Sequence, residues 1–241
     1  MIVKMPSWVR AKTLAPVDHS MTGHVPFDLM GNQIVIPLDE IWHVLSKHDQ
    51  TTTFGGAREM YASNVYLRGF KNGLSARNVV DLGSNRGLFL ILAAKVLGAE
   101  QAIGVEPQDY YAPVFELLLD ANDIDAGRLH RLYKFASATT GPNTITMQEI
   151  MEDYDIPNID FLKCDIEGGE FDVFLSSNDF IDNVSNISME LHPAEGDVSK
   201  LVRELQKFDF EVRVTDQVGA PIREQEGHYL YASRNNSLAA V

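Results

Sequence analysis

Beyond about residue 78, short apolar runs alternate with stretches of helical period, the pattern of βα units that build a mainly parallel sheet. Asn78–Leu82 reads as a buried strand, and Leu88–Leu97 as a helix that Gly98 ends in the C′ position. Gln101–Val105 and Tyr111–Ala121 repeat the unit, and Leu129–Phe135 is a third strand with partial alternation. Thr146-Met-Gln-Glu149 is a capping box that opens a short helix. Ile159–Cys164 is the fourth strand, Glu170–Leu175 a helix and Ile187–Leu191 the fifth strand. Val198, Leu201, Val202, Leu205 and Phe208 then recur on one helical face. Phe210–Thr215 and His228–Ser233 alternate and leave no room for a crossover helix, so they pair antiparallel. The predicted fold is α/β and Rossmann-like: a mainly parallel sheet finished by an antiparallel hairpin.

Residues 1–77 follow a less regular pattern. Gly31-Asn32 between Phe27–Met30 and Gln33–Ile36 predicts a hairpin, and Leu38–Lys47 and Ala57–Phe70 read as helices. The chain therefore divides into an N-terminal segment, 1–77, and a ligand-binding domain, 78–241. The segment is either a cap that shapes access to a site or an extension that covers a sheet face.

Charge narrows the partners. Lysine and arginine number 20 against 34 acids, a net charge of −14. A long polyanion draws on basic side chains for affinity, so nucleic acid is a poor partner and a small molecule a better one. The longest apolar run, Gly87 to Gly98, is interrupted by Lys95 and too short to span a bilayer. The start of the chain has no continuous apolar stretch, and Cys164 is the single cysteine. A cytoplasmic protein with no membrane contact is the expectation.

The stretch Asp81-Leu-Gly-Ser-Asn-Arg-Gly87 carries the chemistry: a buried strand enters a glycine turn that opens a helix. Gly83 permits a tight bend, and Gly87 close packing of helix and strand. Amides at a helix start favour an anion, either a dinucleotide pyrophosphate or an amino-acid carboxylate. The dinucleotide fingerprint needs glycines at 83, 85 and 88, but Asn85 and Leu88 occupy two of those places, which disfavours a nicotinamide cofactor. Asp81 is placed to hold an α-ammonium group directly or through water. Glu106, 19 residues after Gly87, ends the second strand, where an acid accepts from ribose hydroxyls. An amino-acid end and a ribose together describe S-adenosylmethionine, although either acid alone reads equally as a solvated strand end. Asp165 and Glu167 follow the fourth strand, and Glu190 and His192 lie at the carboxyl end of the fifth, facing the crevice where such sheets bind ligands.

These motifs resemble the FkbM family of S-adenosylmethionine-dependent, class I methyltransferases. The resemblance is carried by DLGSNRG, Glu106-Pro107, LKCDIEGGEFDVF and ISMELHP, across roughly residues 60–233, and most specifically by Lys163, Asp165, Glu167, Gly168 and Glu170. Arg86 departs from the usual Ile or Val and points to a different contact on the cofactor or substrate side. The resemblance implies that Asp81, Gly83, Ser84, Asn85 and Gly87 form the methionine-end loop and that Glu106 is the ribose acid. It places Phe135 and Ser137 beside the adenine, with Phe135 stacking on it or packing in the core. It also implies methylation, commonly of a hydroxyl on a sugar or secondary metabolite.

A hydroxyl acceptor must lose its proton, so a base is required. His192, stiffened by Pro193, leads the candidates, although a histidine capping a strand end fits the same position. Asp165 and Glu167 are the other candidates, and Glu190 would orient His192 or touch the acceptor. Asp165, Glu167, Glu190 and His192 could meet on a cation, but they lie on two separate strands, and no metal is assigned. One rival is an RNA ribose O-methyltransferase, which would use Asp165 and Glu190. It also needs a lysine on the intervening helix, and residues 168–175 contain none. The other rival is a non-catalytic cofactor-binding partner subunit, which would keep Asp81 and Glu106 without a base.

Overall fold

The computed structural model describes residues 16–48, 51–176 and 178–240. Its centre is a seven-stranded sheet with strands β3 (Asn78–Leu82), β4 (Gln101–Val105), β5 (Leu129–Leu132), β8 (Ile159–Cys164), β9 (Val184–Glu190), β10 (Glu211–Thr215) and β11 (Tyr229–Ser233). Their order is β10-β11-β9-β8-β3-β4-β5. The pairs β5/β4, β4/β3, β3/β8 and β8/β9 are parallel, and β11 runs antiparallel to both β9 and β10. The terminal strands do pair antiparallel as predicted, and β11 also inserts between β10 and the parallel block.

Alternate residues of each strand enter different cores because successive side chains leave opposite faces. Val79, Phe161, Tyr229 and Tyr231 face one core, and Val80, Leu162, Leu230 and Ala232 the other. The second core is closed by the helices Met147–Asp153, which begins with the predicted capping box, and Val198–Lys207. Between them in sequence lies Glu170–Ser176, here α6, whose Val173 and Phe174 face the same core.

The first core is shared with the N-terminal segment. β1 (His24–Leu29) and β2 (Asn32–Pro37) form a hairpin whose two-residue turn is Met30-Gly31, one residue earlier than predicted. Both residues have positive φ, 53° and 78°, as the tight hairpin turn requires. Helix α1 (Leu38–Leu45) follows. Asn122, after the helix Ala112–Ala121, acts as a surrogate strand for β2. Its Oδ1 accepts from Val35 N at 2.8 Å, and its Nδ2 donates to Val35 O at 2.8 Å. The predicted helix Ala57–Phe70 is instead Thr53–Ala57 followed by a π turn, Arg58–Ala62. Asn64, at φ 48°, breaks the helical path, and the irregular chain beyond it buries Tyr66, Leu67 and Phe70 against the sheet.

Three further boundaries differ. The fifth strand starts earlier than predicted and spans Val184–Glu190. Leu88–Leu97 is an α-helix only to Leu92 and then a π turn, closed by Gly98 at φ 72°. The third strand stops at Leu132, because Glu106 N donating to Leu132 O is the last bond beside it. Phe135–Ala136 then pairs separately with Thr144–Ile145. Among the described residues no helix is long and apolar enough to cross a membrane.

Candidate active site

The turn after β3 is rigid because its own bonds occupy its amides. Gly83 N and Ser84 N donate to Val105 O, Asn85 N to Glu106 Oε2 at 2.9 Å, Arg86 N to Asn85 Oδ1, and Gly87 N to Ser84 O. Each amide at 83–87 therefore has an acceptor within the protein, and the helix start whose amides were expected to face an anion lies just beyond them, at Leu88. Gly83, at φ 76°, is needed twice over: a Cβ there would lie 1.7 Å from the Asp165 carbonyl oxygen, so this turn and the one after β8 touch backbone to backbone. Gly87, at φ 89°, makes room for the Phe115 ring, which an added Cβ would strike, rather than for a strand. Ser84 is buried with its hydroxyl against Gly104 of β4. Arg86 turns toward the N-terminal segment. Its Nη2 donates to Thr51 Oγ1 at 2.8 Å, and the guanidinium lies 5.1 Å from the Tyr111 ring centre.

Glu106 is buried, and its second oxygen accepts from Gln108 N at 3.1 Å. It lines a hollow of about 360 Å³ together with Gly83, Asn85, Phe135, Asp165, Ile166 and Glu167. Phe135 is 58% exposed, so its ring is a wall of this hollow and not part of the core. Ser137 turns away, and its hydroxyl donates to Asp172 Oδ2 of α6 at 3.2 Å.

Asp81 is fully buried, and its carboxylate faces the Lys163 ammonium at 3.0 Å. Lys163 is itself 2% exposed and donates to Gly83 O at 2.7 Å, so the pair clamps the turn from below. Burial works against the lysine's charge, but Asp81 and Asp165 outweigh it and hold its pKa above the ordinary value. Lys163 reaches the ligand space where Asp81 does not.

A second hollow, of about 190 Å³, is lined by Glu59, Val65 and Tyr66 of the N-terminal segment and by Lys163, Asp165 and Glu190. It shares Gly83, Asn85 and Asp165 with the first. Tyr66 is nearly buried and donates to Asp165 Oδ2 at 2.9 Å; Glu190 Oε2 lies 3.4 Å from the same hydroxyl oxygen. Burial, then Asp165 and Glu59, push the Glu190 carboxyl up to about 8.

His192 is locked by Glu170, a fully buried acid at the start of α6. Glu170 Oε1 accepts from His192 N at 3.0 Å and meets the ring Nδ1 at 2.9 Å, while its other oxygen accepts from Gly168 N. This bond to Glu170, against some loss from burial, raises the imidazole to about 9. Asp165, Glu167 and His192 bring ligand-type atoms within 4.8 Å of one another, with Glu167 3.4 Å from Nε2. A cation there would have to displace the proton that Glu170 favours on the ring. Glu190 stands apart from the group, with Tyr66.

The structure thus brings together Gly83, Asn85, Glu106, Phe135, Asp165 and Glu167 around one hollow. It sets Ser84 and Glu190 on the second, places His192 beside Glu167, and leaves Asp81, Gly87 and Ser137 behind the walls. Sequence reasoning gave no role to Tyr66, Glu59, Lys163 or Glu170. Glu170 was within reach: it shares a helical face with Val173 and Phe174, and an acid on an apolar face needs a buried partner.

The family profile described as the methyltransferase FkbM domain matches residues 81–212, more than half the chain. No curated protein matches. Among solved structures, methyltransferase FkbM from Methylobacillus flagellatus KT superposes with a TM-score of 0.54 at 16% identity, over 93% of this chain and 59% of that one. A candidate S-adenosylmethionine-dependent methyltransferase from Streptococcus mutans gives 0.51 at 13% identity, over 88% and 55%. The chain spans less than two thirds of the length of either, and identities this low speak for the fold alone. Family match, strand order and the paired hollows agree: the chain belongs to the FkbM family of S-adenosylmethionine-dependent methyltransferases.

Proposed function

We propose that the protein methylates a hydroxyl on a small acceptor, a sugar or a hydroxylated metabolite, with Asp165 as the base. One observation carries this reading: the hollow beside Glu106 and the hollow beside Glu190 share the wall formed by Gly83, Asn85 and Asp165. The first suits the cofactor by its donor set, since Glu106 offers acceptor oxygens for a ribose and Phe135 an open ring for a base. When bound, the cofactor supplies a methyl group on a sulfonium sulfur, and that sulfur keeps the electron pair of the bond that breaks.

The chain's own residues then position the acceptor and take its proton. Asp165 lines both hollows with its side chain partly open, which suits a base between donor and acceptor. His192 is a poorer base, because Glu170 keeps it protonated at neutral pH. Glu59, Met60, Val65 and Tyr66 along the second hollow support a cap role for the segment 1–77. The lining of the second hollow sets Arg86 and Lys163 against Glu59, Asp165 and Glu190, so it offers no excess of positive charge to a phosphate backbone.

The test is methyl transfer from labelled cofactor to a panel of sugars and hydroxylated metabolites, with the methylated atom located by NMR. Transfer to oxygen is expected, and Asp165→Asn should slow it by about 100-fold with S-adenosylhomocysteine affinity nearly unchanged. Methylation at nitrogen or carbon would overturn the acceptor class. A fully active Asp165→Asn would overturn the base.

A further inference from the structure

We infer that Tyr66, carried into the site by the N-terminal segment, is a positioning residue: its hydroxyl holds one proton on Glu190 and leaves Asp165 charged. The use made of that charge rests on the methyl-transfer reading; the proton's placement does not.

A phenol has one proton, and its nearer acceptor is Asp165 Oδ2 at 2.9 Å. Glu190 Oε2 nevertheless approaches the same oxygen to 3.4 Å. Were both acids ionised, Glu190 would face a lone pair with no hydrogen between. A protonated Glu190 removes the conflict by donating to the phenol oxygen, so that the chain of donors runs from Glu190 through Tyr66 to Asp165. Tyr66 does not ionise in its place, because burial and the two acids push its pKa well above the ordinary value.

The surrounding charges point the same way. Lys163 is 3.9 Å from Asp165 but 3.0 Å from Asp81, which takes most of its charge. Glu59 adds negative potential at Glu190, while His192 and Lys163 only partly offset it. Across the ladder, Tyr229 pairs with Glu190, and Arg68 lies over the outer Tyr229 ring at 5.0 Å. In the reaction, the acceptor's O–H bond breaks as its O–C bond forms, the proton passes to Asp165, and Glu190 stays neutral.

The experiment is a carboxyl ¹³C NMR titration of the cofactor-free protein, with the Glu190 signal assigned by its loss in Glu190→Gln. In the wild type Glu190 should be neutral at pH 7. In Tyr66→Phe, which keeps the ring contacts to Phe89 and Tyr229, its midpoint should fall by about one pH unit or more. Glu190 already ionised at pH 7 in the wild type, or an unmoved midpoint in Tyr66→Phe, would overturn the inference. A midpoint that moves in a protein that methylates no acceptor would support the proton placement and sink only the functional reading.

Discussion

Replacing Glu170 by glutamine keeps the shape of the side chain and removes a charge that is wholly buried. The wild-type imidazole of His192 sits at about 9, against an ordinary value of 6.5, chiefly through its 2.9 Å bond to Glu170. That gap corresponds to about 3 kcal/mol, and because the ring is partly open to solvent about half of it should survive screening. A histidine whose folded pKa is raised contributes its full stability below its unfolded pKa and loses it as pH climbs through the folded one. The wild type should therefore be more stable than Glu170→Gln by about 1–2 kcal/mol more at pH ~6 than at pH ~10. Glu190, at about 8, adds a slope of the same sign to both proteins and cancels in the difference except for the part that the His192 charge sets. Urea unfolding across that range measures the difference, and the His192 ring proton followed by NMR should titrate near its ordinary value in the variant. A stability difference that does not change with pH, or an unmoved His192, would refute the lock.

Three other outcomes can be checked directly. Glu106→Gln should weaken S-adenosylhomocysteine binding by about 10-fold in calorimetry, since a hydroxyl-facing oxygen is exchanged for a donor; unchanged affinity would remove Glu106 from the ribose. Lys163→Met should cost about 3–5 kcal/mol in unfolding free energy by stranding Asp81, and adding Asp81→Asn should recover much of the loss. Gly83→Ala should destabilise by about 3 kcal/mol or more, because its Cβ would collide with backbone and not with a side chain that can move; a melting temperature within a degree or two of wild type would refute the contact.

The parallel strands were legible because they are buried on both faces, so Asn78–Leu82 and Ile159–Cys164 read as apolar runs with the observed limits. The helix predicted through Phe70 failed because what ends it, Asn64 in the left-handed region, has no marker in an apolar-periodic pattern. For the same reason Tyr66 escaped notice: it lies in an irregular stretch, and its partner acids are about 100 residues or more away in sequence. Glu106 and Asp165 stood out because strand ends in such sheets face the crevice. Asp81 lies near the end of β3 and Ser137 just after a short strand, yet Lys163 and Asp172 hold them away from it. Sequence spacing shows which residues stand near a crevice, but not which neighbour satisfies them first.

The place of β11 in the sheet has a consequence for the order of assembly. β10 is made first but, among the described strands, bonds only to β11, which in turn bonds to β9. On a ribosome, β10 therefore emerges with no partner and waits for the next strand to be made. Until β11 docks, Glu190 has no Tyr229 across from it, and Tyr66 has Phe89 but not Tyr229 to rest its edge on. The nascent chain can complete the hollow beside Glu106 well before it completes the one beside Glu190, so ligand-binding capacity should arise during synthesis in two separate steps.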